Sequence, residues 1–240
     1  MISVRGAQKA YGDKVILDDI ELSVSPGECV AVLGPSGSGK STLLRMMSML
    51  DRPTKGTISV DKQSWSFPQD AQKAFDVWPK VGMVFQDLYL WPHLSCGENA
   101  LLPARKRGVL DTEDKVNSFT KQFGLDGLIG SYPNQVSRGQ RQLFALLRAA
   151  ILEPRYLLVD EITASLDLER IEILTDYLRR MAKNGAGVVI ASHQLRFACE
   201  VAERYYFLTS GKIIDSGRIA DLKSTKEPAV KRFVDLAMRY

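Results

Sequence analysis

A continuous apolar run, CVAVL (Cys29–Leu33), leads without a break into GPSGSGKST, and STLLRMM then carries helical spacing. A short apolar run that ends in a glycine-rich loop predicts a strand buried on both faces, as in parallel sheets covered by helices. The loop fits G-x-x-x-x-G-K-[ST], a pattern that needs a strand to deliver it and a helix to leave it. Through Gly34, Pro35, Ser36, Gly37, Ser38 and Gly39 the backbone can wrap closely, turning successive N–H groups towards phosphate oxygens. The helix N-terminus adds its partial positive charge. Lys40 places a point charge near the β- and γ-phosphates, the Ser41 hydroxyl can ligate Mg²⁺, and Thr42 completes the motif. A glycine-rich turn that binds nothing is the bland alternative, and it requires neither the strand before nor the helix after.

A second apolar run, YLLVD, ends in Asp160 and is followed by Glu161. Ligand sites of open α/β sheets lie at the carboxyl ends of the strands. Asp160 is therefore placed to hold Mg²⁺ through water, and Glu161 to orient an attacking water. Side chains alternate along a strand, so consecutive acids can serve separate roles. A third run, GVVIAS, precedes His193. Around these runs, VILDDIELSV alternates as an antiparallel strand, TISV and VGMVF read as further strands, and YYFLTSGKIIDSG reads as a hairpin about Ser210 and Gly211. SWSFPQDAQKAFDVWPK reads as irregular, the stretch from Asp87 to Glu153 as mostly helical with breaks near Pro92 and Pro133, and PAVKRFVDLAMRY as an amphipathic helix. The fold class is thus α/β: a phosphate-loop protein with a mostly parallel core sheet, an antiparallel β part and a helical part.

Bulk properties narrow the function. With 32 basic and 28 acidic residues in 240, the net charge of +4 is too mild to argue for nucleic acid. The local cluster ARKRG reads as a solvated loop. Cys29, Cys96 and Cys199 have no metal-site spacing and fit a reduced cytosolic compartment. MISVRGAQKAYG lacks the apolar core of a signal peptide. LFALLRAAIL is interrupted by Arg148 and falls far short of the ~20 residues that cross a bilayer. Such a chain acts at a membrane only by docking to something that spans it.

With GPSGSGKST, VFQ, VSRGQ, LLVDEITASLD and ASHQ in this order, the chain resembles the ATP-binding subunit of an ABC transporter over essentially its whole length. That resemblance implies a P-loop NTPase (RecA-like) nucleotide-binding core of residues 1–86 and 155–240, a helical signature subdomain of residues 87–154, and a head-to-tail dimer that sandwiches ATP. It also implies a role for individual positions. Tyr11 matches the aromatic that stacks on adenine, and Gln86 the glutamine that reaches Mg²⁺ or water. Ser137, Gly139 and Gln140 match the signature loop that caps the γ-phosphate held by the opposite subunit. Asp167 matches an aspartate that crosses the interface, and His193 the switch histidine near the γ-phosphate. Two positions depart from the family: Arg138 and Ile162 stand where glycine and proline are usual. Arg138 is expected at the rim of the partner's ATP site, where its guanidinium points to solvent, makes a charge-assisted contact with a phosphate, or obstructs the site.

GMVFQDLYLWPHLSCGENALL and HQLRFACEVAERYYFLTSGKIIDSG are similar to the subgroup that powers bacterial uptake of polar amino acids. By that resemblance the partners are a second copy or a related ATPase subunit, integral membrane permease subunits and, indirectly, a solute-binding protein. No nucleic acid is expected, and the location is the cytoplasmic face of the inner membrane. By the same resemblance DLYLWPHL helps form a groove that receives a membrane-subunit helix; it also reads as ordinary core of the helical part, and the two readings are compatible because a groove needs apolar walls. An export or lipoprotein-release ATPase, a soluble ABC ATPase and a small-molecule kinase are the competing classes. The kinase leaves the signature loop, Glu161 and His193 unexplained.

Overall fold

The computed structural model describes residues 1–109 and 112–237. In chain order the elements are β1 (Ile2–Tyr11), β2 (Lys14–Val24), β3 (Cys29–Leu33), α1 (Lys40–Met47), β4 (Lys55–Val60), β5 (Gln63–Phe67) and β6 (Val81–Val84). Then come α2 (Cys96–Arg107), α3 (Glu113–Gln122), α4 (Arg138–Ala150), β7 (Tyr156–Asp160), α5 (Leu168–Lys183), β8 (Gly187–Ser192) and α6 (Leu195–Val201). The chain closes with β9 (Arg204–Thr209), β10 (Lys212–Arg218) and α7 (Pro228–Ala237). Residues 238–240, the end of the expected C-terminal helix, lie outside the described residues.

Among the described residues the strands form two sheets, ordered β2-β1-β4-β5 and β10-β9-β3-β8-β7-β6. The first is antiparallel. In the second, β3, β6, β7, β8 and β9 run parallel, and only the β9–β10 hairpin is antiparallel. The reason for the unbroken apolar runs is visible in the packing. Cys29, Ala31 and Leu33 of β3 face one core with the helices, whereas Val30 and Val32 face a second core against the antiparallel sheet and α1. Strand β7 divides likewise, Leu157 and Val159 to one side and Tyr156 and Leu158 to the other. A strand with a core on each side has no face for polar residues.

One expectation is corrected. The stretch expected to be irregular contains β5, which pairs with β4 through Gly56↔Phe67 and Ile58↔Trp65. Trp65 and Phe67 are buried there against Phe75. Helices α2 to α4 fall between β6 and β7, and residues 87–95, around the expected break at Pro92, contain no helix. Cys29, Cys96 and Cys199 are free thiols.

Candidate active site

Strand β3 ends at Leu33 and the loop turns at once. Gly34 has φ 149°, and a Cβ there would stand 2.0 Å from the Leu208 carbonyl oxygen, so no other residue fits. The loop closes on α1, whose N-cap is Gly39 in the left-handed region. Lys40 opens that helix with its side chain buried. Its ammonium donates to the carbonyls of Gly34 (2.9 Å) and Pro35 (3.1 Å) and lies 3.6 Å from a Glu161 carboxylate oxygen. A cleft of about 280 Å³ opens here, lined by residues 36–37 and 39–42 together with Ile16, Gln86 and Glu161. The fold thus brings the loop, Gln86 and Glu161 to one place from distant parts of the chain. Ile16 was not expected there; nothing in the alternation of β2 marks it.

Two acids extend the site. Asp160, the last residue of β7, is 2 % exposed, and its Oδ1 has no hydrogen-bond partner among the described residues. Burial pushes its carboxyl above the usual range; the Ser41 hydroxyl, bonded to it, opposes that shift, and the Glu161 charge reinforces it. A buried carboxylate oxygen without a partner calls for one. With the Ser41 hydroxyl beside it and the Gln86 amide on the cleft, the donors are hard oxygens, and they fit Mg²⁺.

Glu161 is not a continuation of the strand. It has φ 47°, a left-handed conformation that is unfavourable for a non-glycine residue. Its N–H donates to the Ala191 carbonyl (3.0 Å). The two acids therefore differ in placement through this turn rather than through strand alternation: Glu161 lines the cleft while Asp160 stays buried at the strand end. His193, just past β8, places Nδ1 2.9 Å from the second Glu161 oxygen. Lys40, Glu161 and His193 form one connected row.

The other expected residues lie away from this cleft. Tyr11 ends β1 and is 48 % exposed; its hydroxyl bonds to Asp51, and the Lys9 ammonium sits 4.7 Å from the ring centroid. Burial and the bond to Asp51 both push the phenol up. Sequence reasoning missed Lys9 and Asp51, which are ordinary charged residues until the strands converge. Ser137 caps α4 reciprocally: its Oγ accepts from the Gln140 N–H (3.2 Å), and the Gln140 side-chain oxygen accepts from the Ser137 N–H (2.8 Å). Gly139 is buried against the loop that follows Glu161; a Cβ there would stand 2.3 Å from the Ser165 carbonyl oxygen. Arg138 is exposed. Asp167 caps α5 through the Arg170 N–H (2.9 Å) and pairs with the Arg170 guanidinium (3.0 Å). Ile162, in place of the usual proline, is buried in the helical-side core.

Above β6 lies a separate groove of about 490 Å³. Leu50, Trp78, Tyr89 and Trp91 line it and remain 44–63 % exposed. DLYLWPHL thus supplies groove wall at Tyr89 and Trp91 rather than core.

Comparison with known proteins agrees with this geometry. The ABC transporter family matches residues 17–164. The arginine transport ATP-binding protein ArtM of Bacillus subtilis (strain 168) is 34% identical, over 90% of this chain and 91% of that protein. The glutamine transport ATP-binding protein GlnQ of Escherichia coli (strain K12) is 36% identical, over 90% and 91% respectively. A dimeric post-hydrolysis state of the ATP-binding cassette MJ0796, bound to ADP and Pi, superimposes with a TM-score of 0.80 at 30% identity, covering 91% of this chain and 99% of that one. No helix among the described residues is long and apolar enough to cross a membrane. A phosphate loop, a buried acid, a strained glutamate beside a histidine and this kinship converge: the chain belongs to the ABC transporter family, as an ATP-binding and ATP-hydrolysing subunit.

Proposed function

We propose that this subunit powers import of a polar amino acid through separate integral membrane subunits, at the cytoplasmic face of the membrane, as a homodimer or paired with a related ATPase subunit. The solute class rests on the arginine and glutamine transport relatives. One observation carries the mechanism: the signature turn at residues 137–140 contributes nothing to the phosphate cleft of its own chain. A turn so firmly capped, yet turned away from its own site, suits the γ-phosphate bound by a second copy. The dimeric cassette bound to ADP and Pi supports that arrangement.

In this reading Tyr11 stacks on adenine, and residues 34–42 wrap the phosphates with Lys40 at their centre. Ser41, Asp160 and Gln86 would hold Mg²⁺, whose charge offsets that of the β- and γ-phosphates. Glu161 orients the attacking water, and His193, hydrogen-bonded to it, fixes the carboxylate and senses the γ-phosphate. Ser137, Gly139 and Gln140 clasp that phosphate from across the interface, with Arg138 at the rim and Asp167 beside the seam. Residues 87–154 move as a helical subdomain against residues 1–86 and 155–240. Gln86 joins the two parts, and the aromatic groove receives a helix of the membrane subunit.

Glu161→Gln tests this directly. It keeps the size of the side chain and removes its charge, so ATP should be bound but not turned over. The variant is expected to accumulate as an ATP-bound dimer in the assembled complex, seen by light scattering and by retained nucleotide. A complex whose ATPase subunits never associate in ATP would refute the shared-site mechanism.

A further inference from the structure

The segment between the phosphate cleft and the helices is tied down by side chains of two helices. Strand β6 ends at Val84, and the chain bends at Gln86 and Asp87. Beyond the bend, Arg148 of α4 donates Nη2 to the Leu88 carbonyl and Nη1 to the Tyr89 carbonyl, each at 2.6 Å. Asn99 of α2, fully buried, accepts from the Trp91 N–H (2.7 Å) and donates to the Trp91 and Leu94 carbonyls (3.0 and 3.1 Å). Arg148 is largely withdrawn from water, and burial lowers its pKa. A guanidinium in that position is held by the carbonyls it bonds, and its planar fork matches two of them at once. Tyr89 and Trp91, the residues whose backbones are gripped, are also the walls of the groove. The same α4 begins at the signature turn.

We propose that Arg148 and Asn99 are positioning residues that clamp residues 88–91 to α4 and α2. Force applied in the groove then reaches the signature turn as one rigid displacement. This inference rests on the transport reading above. The clamp leaves residues 85–87 as the part that flexes, with Gln86 on the cleft side of the bend. Without it, the groove wall could yield to a docked helix while α4 stayed still. ATP would then be hydrolysed without moving solute.

The test uses the assembled complex in liposomes, with wild type, Arg148→Met and Arg148→Lys. Solute moved per ATP hydrolysed is measured together with amide hydrogen exchange across residues 85–95 and across residues 34–47. For Arg148→Met we expect the transport-to-hydrolysis ratio to fall about tenfold or more. Exchange should accelerate in residues 85–95 and stay unchanged in residues 34–47. Arg148→Lys, which can reach one carbonyl but not both in a fixed fork, should lie between. If Arg148→Met does not assemble, Arg148→Lys decides. A wild-type ratio in either folded variant, or a loss no larger than the loss of assembled complex, overturns the clamp. If the wild-type complex itself moves no solute with ATP, the transport reading fails instead, and exchange across residues 85–95 still decides the clamp.

Discussion

Asp160 and Glu161 are neighbours in the chain with opposite surroundings. Asp160 is sealed under the loop with one oxygen unpartnered, whereas Glu161 is swung by its positive φ into the cleft beside Lys40 and His193. Because burial raises the Asp160 pKa, the native chain holds that proton more tightly than the unfolded chain does. The unfavourable contribution of ionised Asp160 is full above its folded pKa and is relieved as pH falls through that value. Asp160→Asn is therefore expected to stabilise the nucleotide-free subunit at neutral pH. A gain of about 1 kcal/mol would raise Tm by roughly 2–4 °C in a chain of this size. The advantage should shrink on acidification, and ATPase activity should be lost; thermal melts across pH and a phosphate-release assay check both. That Asp160 closes a buried strand was legible, because the YLLV before it is wholly apolar. The redirection of Glu161 was not, since no composition rule signals a left-handed glutamate.

The signature helix shows what a capping pattern can and cannot say. Ser137 three residues before Gln140 announces the start of α4, and the structure forms both reciprocal bonds with Arg138 present. Arg138 has therefore not displaced the turn, and whatever it does it does through its side chain. Its positive charge at a helix N-terminus opposes the macrodipole by roughly 0.3–1 kcal/mol before solvent screening. In the proposed dimer its side chain would also crowd the approach to the partner's phosphate. Arg138→Gly is expected to raise the ATPase rate of the assembled complex a few-fold. A large fall instead would show that the guanidinium holds a phosphate. Strand β5 makes the complementary point. Trp65 and Phe67 alternate with Ser64 and Ser66, yet the run is short and ends at Pro68. Pairing with β4 makes it a strand, and that pairing is a long-range event.

At the scale of the whole subunit, the groove and the cleft are separate sites joined by the chain through Gln86. Tyr89→Glu with Trp91→Glu puts two charges on an apolar wall that is already exposed, so folding should be little affected. The double variant is expected to bind ATP normally, as read by equilibrium titration, and to fail to co-purify with the membrane subunits. Wild-type co-purification would show that the docking surface lies elsewhere. The phosphate loop, the buried strands beside it and the helix caps are local: a few consecutive residues state a turn, an apolar run or a cap, and short-range sterics and hydrogen bonds enforce it. The groove draws on residues from Ser48 to Leu152, the Tyr11 setting on strands far apart in the chain, and the Arg148 grip on carbonyls about sixty residues away. No local pattern encodes such meetings, because they exist only once two cores have packed on opposite faces of one sheet and drawn distant segments together.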